Sequence, residues 1–494
     1  MRHAGLRRWS GGFLLIFVLL AAWSLATPKY AAPDESVHAI RAASLARGEI
    51  LGQDVSIPGD PSTRVTVPKT LTVYSPACFA FKIEVAASCM PQWSKQPGTA
   101  RVNTYTGRYP PLYYLAVGLP TLVDTGGSML LWMRLAGDLV NAAFLAGGFW
   151  LLGRGRRSWW AVAGGAAAVT PMVLFIGAVI NPSGLEICSA FALWGALFAC
   201  SKAACGAVDR SVLAWAAVSA VVFESTRGLS PVLLLITLAA FAVAVGWPRF
   251  RTMIARQGAR MAGIVVAAFG VLASAWVAFA GSLRLIRTNP VPPEVGTVSI
   301  LRAALVKNSK FAEFVGNFGW LDTPAPSWVV LVWALAALVL LVGVVLARAW
   351  RTLLVMAALA LAVLLIPTAG DVVQARTIGM VSQARYILPL AIGVPILAGV
   401  AISWQGRWSR VGAFAFMAAL GLAQFGSFWR TLHRYRTGLG PGLPPGSVPW
   451  SPPLGTVAVT VLFVVALAAL AAWWWQLTRP VARNSSVSTA SPLS

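Results

Sequence analysis

The sequence predicts an all-α polytopic membrane protein with about 12 transmembrane helices, and three observations carry that prediction. Of the 494 residues, 58% are hydrophobic and only 11% charged, whereas a soluble domain carries about 25% charged residues. The apolar residues gather into runs of about 20, the length that crosses the hydrocarbon of a bilayer. The charged ones are lopsided, 39 Lys plus Arg against 15 Asp plus Glu, and the basic residues recur between alternate runs. A soluble enzyme, a disordered chain and a fibrous one are excluded. The net charge of +24 reads as a membrane-orientation signal and not as the footprint of nucleic acid.

The predicted spans run roughly over 10–28, 128–152, 158–180, 184–204, 211–227, 230–246, 261–281, 327–347, 352–368, 386–404, 409–427 and 455–476. The first follows Arg2, Arg7 and Arg8 and ends in small, polar Ser24–Thr27, so it also has features of a cleavable signal peptide; eleven further spans make a retained anchor as natural. With the N-terminus inside, alternate short loops hold Arg154, Arg156 and Arg157; Lys202 and Arg210; Arg249, Arg251, Arg256 and Arg260; Arg348 and Arg351; Arg407 and Arg410; Arg479 and Arg483. Asp209 is the single acid among them. This positive-inside bias predicts a multi-pass protein of the cell membrane with both termini cytoplasmic. It also sends every other acid into the spans or to the outer side, where carboxylate chemistry is expected.

Residues 1–476 read as one multi-spanning domain and 477–494 as a Ser-rich, disordered cytoplasmic tail. The largest outer segment, 29–127, is a loop with two short interfacial helices, about 34–47 and 111–123. Its stretches Gly52–Pro68 and Pro91–Thr106 are dense in Pro, Gly, Ser and Thr and read as loop. So do the later outer segments 282–326 and 428–454. No internal repeat and no Gly-rich phosphate loop is present in the sequence. Cys78 and Cys89 share the first outer loop, where an oxidising compartment would permit a disulfide. Cys188, Cys200 and Cys205 read as small apolar residues, and no Cys/His grouping has zinc-site spacing.

Candidate chemistry begins just after the first span, in PDESVHAIRAASLARG, Pro33–Gly48. Asp34 stands at a helix start, and Asp34, His38 and Arg41 fall at i, i+4 and i+7 on one face, with Glu35 adjacent. The alternative is that Asp34 only caps the helix and the rest is a solvated face. The second interfacial helix follows TGRYPP and carries Tyr109, Tyr113 and Tyr114 as interface anchors; Arg108 before it is a phosphate ligand or a headgroup anchor. Arg134 and Asp138, one turn apart, are expected to pair. Asn181, Ser183, Glu186, Glu224, Arg227, the run Asn317–Pro326 and Gln383–Pro389 are all expected at the same outer depth. A membrane-edge pocket with carboxylates and arginines suits a sugar donor on a polyprenyl phosphate: the tail stays in lipid, arginines hold the phosphate and a carboxylate deprotonates the acceptor hydroxyl. The same parts would serve a transporter or flippase, or a polymerase or ligase of lipid-linked glycans.

Taken together, PDE with His38 three residues on, RYPPLYYL at 108–115, NPS at 181–183, FGWLD at 318–322 and QARY at 383–386 resemble the uncharacterised membrane family called domain of unknown function 2142. That family is similar to the C-type, polyprenyl-phosphate-sugar-dependent glycosyltransferases, and the resemblance extends over about residues 10–476. It implies a C-type glycosyltransferase-like fold, catalytic Asp34 with Glu35 as the second acid, and, in some branches, a divalent metal (Mg or Mn) held by that pair. It also implies a polyprenyl-phosphate-linked sugar as donor and an envelope glycan, lipid or protein as acceptor, with no nucleic acid partner. Arg385 is the first candidate for the donor phosphate and Arg227 the second, by location. His38, Arg41, Arg108, Gln383 and Tyr386 complete the expected substrate-binding set. Ser183 replaces the family's Asp after Asn-Pro, which weakens the metal expectation, and Ala384 replaces a Gly.

Overall fold

A computed structural model describes residues 2–55, 60–154, 157–202, 209–284, 288–406, 408–440 and 448–478. Arg156, Cys205, Arg407, Arg479, Arg483 and nearly all of the predicted tail lie outside them. In chain order the helices are α1 (Arg2–Ala26), α2 (Glu35–Ala46), α3 (Leu112–Gly118), α4 (Met129–Leu152), α5 (Trp159–Ala168), α6 (Pro171–Gly177), α7 (Pro182–Lys202), α8 (Arg210–Glu224), α9 (Ser230–Val245) and α10 (Trp247–Ile254). They continue with α11 (Gln257–Ala280), α12 (Thr297–Asn308), α13 (Phe311–Val315), α14 (Ser327–Leu346), α15 (Trp350–Gln374), α16 (Leu388–Ala391), α17 (Gly393–Gln405), α18 (Arg410–Thr437) and α19 (Thr456–Leu477). Every predicted span falls on one of these helices or on a bent pair of them.

About 12 spans were predicted. Among the described residues nine helices are long and apolar enough to cross a membrane, or up to eleven if the bent pairs α5–α6 and α9–α10 each count as one. The predicted span 211–227 is α8, and its 15 residues rise only about 22 Å. Pro171 starts α6 after a 66° bend from α5, because a proline cannot continue the preceding hydrogen-bond ladder.

The long connection between α1 and α4 is more ordered than its composition suggests. Three strands, β1 (Gln53–Asp54), β2 (Thr63–Pro68) and β3 (Thr99–Thr104), pair antiparallel in that order, with Thr63 opposite Thr104 and Pro68 opposite Thr99. The loop reading of Gly52–Pro68 and Pro91–Thr106 is therefore corrected. The period-2 signal was there: Thr63, Val65 and Val67 are buried while Arg64 is exposed and Thr66 half-buried between them, the pattern of a half-buried strand. The 282–326 segment likewise contains α12, α13 and a two-stranded hairpin, β4 (Asn317–Phe318) with β5 (Thr323–Pro324).

α2 lies between the sheet and α3, and the α2–α3 approach is set by Gly118. A Cβ there would stand 2.1 Å from the Ala42 carbonyl oxygen, so no larger residue lets the two backbones meet this closely. α3 turns Leu112, Leu115 and, in the 3₁₀ turn after it, Leu119 and Leu122 to the outside, an apolar stripe suited to the bilayer interface. Tyr113 and Tyr114 face the opposite way and are buried, which corrects their reading as interface anchors. Cys78 and Cys89 are joined by a disulfide. Its loop is fastened to the bundle by Arg434, which donates to the carbonyls of Phe79, Lys82 and Val85 and to Asp322.

Candidate functional site

The site is built on the turn from α1 into α2, residues 27–35, at the end of the bundle that the charge pattern predicts to be outer. Asp34 occupies the position before α2 in the left-handed region, φ 63° and ψ 6°, which Asp tolerates better than most residues. Its side chain makes no capping bond to the helix, so the simple cap reading fails. In that backbone conformation Asp34 and Glu35 part company, and they share no hydrogen-bond partner.

Glu35 is completely buried. It accepts from Arg134 Nε at 2.7 Å and from Nη2 at 2.7 Å, and from the Ile180 backbone N–H at 3.2 Å. Arg134 spends its remaining donors on the carbonyls of Ser24, Thr27 and Pro28. The expected Arg134–Asp138 pair is absent; Asp138 instead meets the Ser24 hydroxyl at 2.7 Å. Glu35 therefore clamps the turn, and neither of its oxygens faces a ligand.

Asp34 is the open carboxylate, with 26% of its side chain exposed. Tyr105, one residue past β3, donates its hydroxyl to Oδ1 at 2.7 Å, and Arg385 Nη2 donates to Oδ2 at 2.5 Å. Burial raises the carboxyl pKa, but the Arg385 guanidinium, nearby His38 and the two hydrogen bonds outweigh it and hold it below the usual carboxylate value. Arg385 sits in a 3₁₀ turn just before α16. It also donates to the Pro33 carbonyl at 3.3 Å and to the Tyr386 hydroxyl at 3.3 Å, and its buried Nε has no partner. Asn181 donates to the same Pro33 carbonyl. Arg227 lies 4.5 Å from the Tyr386 ring centroid, with Arg385 5.1 Å from it, so one tyrosine adjoins both guanidiniums. Arg227 is held by Ser183 at 3.1 Å and Glu186 at 3.5 Å. Ser183, where a metal ligand was in question, is thus an arginine partner.

The other predicted residues divide. His38 is buried and shares a 2.8 Å hydrogen bond with Tyr114; burial pushes its pKa down to about 3 against the pull of Asp34, so the ring is neutral. Arg41 is buried and donates to the carbonyls of Glu49 and Tyr109, which rules out the solvated face and leaves it bracing α2. Arg108 pairs with Asp54 and donates to the carbonyls of Pro61 and Ala280, apart from the Asp34 contacts. The Gln383 side-chain oxygen is buried without a partner. Sequence reasoning missed Tyr105, whose signal was the alternating RVNT strand that delivers it, and Arg434, which lies in the segment 428–454 read as loop and is instead in the last turn of α18.

A divalent metal does not fit the expected acidic pair. Both Glu35 oxygens are committed to Arg134, and among the described residues no group of three or more His, Cys, Asp or Glu is arranged to hold a metal ion.

These elements define a polytopic membrane protein with a carboxylate–arginine centre at one end of its bundle. The chain belongs to the family described as "Predicted membrane protein (DUF2142)", whose model matches residues 17–394. No curated protein matches it. Among solved structures it is similar to the crystal structure of ArnT from Cupriavidus metallidurans in the apo state, with a TM-score of 0.43 and 14% sequence identity, covering 94% of this chain and 76% of that one.

Proposed function

We propose that the protein is a membrane glycosyltransferase that moves a sugar from a polyprenyl phosphate to a hydroxyl of an envelope glycan, lipid or protein, on the outer face. The observation that carries this reading is the open Asp34 carboxylate in contact with Arg385, with Arg227 on the same tyrosine. Asp34 takes the proton of the acceptor hydroxyl as its oxygen bonds to the anomeric carbon. The bond from that carbon to the phosphate oxygen breaks, and the electron pair stays on a phosphate held by the arginines. Attack opposite the leaving group inverts the anomeric centre. Arg154, Arg157, Arg210, Arg249, Arg348, Arg351 and Arg410, in or beside the turns at the opposite helix ends, support this orientation. A transporter would be expected to carry its working charges near the bilayer midplane, and the open carboxylate here lies past the end of α1.

Mass spectrometry of lipids copurifying with the protein tests the donor class directly; a polyprenyl-phosphate sugar is expected. Arg385→Lys keeps the charge and loses the planar fork. It should weaken polyprenyl phosphate binding about tenfold or more, since a charge-assisted hydrogen bond contributes about 1.5–3 kcal/mol; unchanged affinity would remove Arg385 from the phosphate site. Tyr105→Phe tests the base from the other side. A donor to the charged carboxylate holds its pKa down, so deleting the hydroxyl raises it, and the acid limb of the pH–rate profile should move to higher pH. A limb that stays put would mean that another group titrates.

A further inference from the structure

The helix that follows the Arg385 turn lines a cavity of about 440 Å³. Its walls come from α5, α12–α13, α14, α15 and α16–α17, and they are apolar apart from Thr170, Asn308 and Ser309. The upper wall starts at Leu388, three residues after Arg385, and the α16–α17 wall ends at Ala398, a helical rise of about 15 Å. Below that point α14 and α17 close against each other: a Cβ on Gly343 would stand 2.4 Å from Ile402. The cavity is thus a well of finite depth, with Leu388, three residues beyond Arg385, at one end and a packed floor at the other.

We propose that this well measures the lipid: it receives the phosphate-proximal part of the polyprenyl chain, about three isoprene units, and leaves the remainder of a longer chain to the bilayer. The inference rests on the proposed donor and adds which part of it the protein reads. Two properties point to this occupant. An anionic head beside Arg385 and Arg227 with an apolar tail continuing past Leu388 matches the charge distribution along the site. At the packing density of protein interiors the volume takes on the order of 15 carbon atoms, and the depth is that of a chain of the same size. Inside a bilayer, moving a tail from lipid to protein gains little from the hydrophobic effect, so discrimination comes from packing against the walls. Carbons beyond the floor gain nothing.

The test uses full-length protein in nanodiscs and a series of polyprenyl phosphates of C5, C10, C15, C20 and C55, compared by competition in native mass spectrometry, with inorganic phosphate as control. Affinity should rise at least tenfold from C5 to C15 and change less than twofold from C15 to C55. Ala337 and Ala360 line the well at mid-depth, and both are exposed, so Ala360→Phe or Ala337→Phe fills space without entering packed core. Either variant should bind C5 as wild type does and lose the gain in affinity from C5 to C15, a shift that misfolding would not produce. Affinity that keeps climbing to C55, or plugged variants with unaltered length preference, would overturn the well while leaving the donor class intact. Binding of no polyprenyl phosphate at any length would overturn both.

Discussion

Asp34→Asn should lower sugar transfer by about 10²–10⁴-fold, the usual worth of a general base, while donor binding persists. The replacement is mild in every other respect. Asn accepts the left-handed conformation of residue 34 at least as readily as Asp, its oxygen can still accept from Arg385, and its amide can donate to the Tyr105 oxygen. What disappears is the negative charge and the ability to take a proton. Because Asp34 neutralises Arg385 in the resting site, its removal leaves that guanidinium more available to a phosphate. Affinity for polyprenyl phosphate should therefore stay level or tighten as the turnover number falls. Rates measured in reconstituted protein beside equilibrium binding separate the two. Transfer near the wild-type rate would dismiss Asp34 as the base, and a parallel loss of binding would make it a donor ligand instead.

Much of this arrangement was legible in the chain, and the misses have physical causes. Apolar runs located the helices, because length and composition are the main demands that hydrocarbon makes. They fixed the number of spans less well, since α8 is apolar but short and α9 gives way to α10 through a 118° bend. The small sheet was hidden by the Pro and Gly around it, and Tyr105 with it. Arg134 was assigned to Asp138 by helical spacing. A helical side chain, however, leans toward the N-terminus of its helix, and from α4 that direction leads to the turn after α1, where Glu35 and three carbonyls wait. Adjacent acids at a helix start look equivalent in sequence; the left-handed Asp34 is what sends one into the bundle and the other to the open site.

That division gives the other large effect. Breaking a buried ion pair by removing one partner costs about 3–5 kcal/mol, because the survivor remains buried and charged. Glu35 and Arg134 are an unusually committed case: the side chains are 0% and 3% exposed, and five hydrogen bonds from the guanidinium hold residues 24–35. Glu35→Gln should thus depress thermal stability strongly and reduce the yield of monodisperse protein, and Arg134→Met should do the same by leaving the Glu35 carboxylate with the Ile180 N–H alone and taking a donor from each of three carbonyls. Combining the two should cost less than the separate losses added together, since the double variant leaves no lone charge. Transfer per folded molecule in Glu35→Gln should stay within a few-fold of wild type, with Asp34 still open to the acceptor. A Glu35→Gln protein of undiminished stability that no longer transfers sugar would return Glu35 to the chemistry.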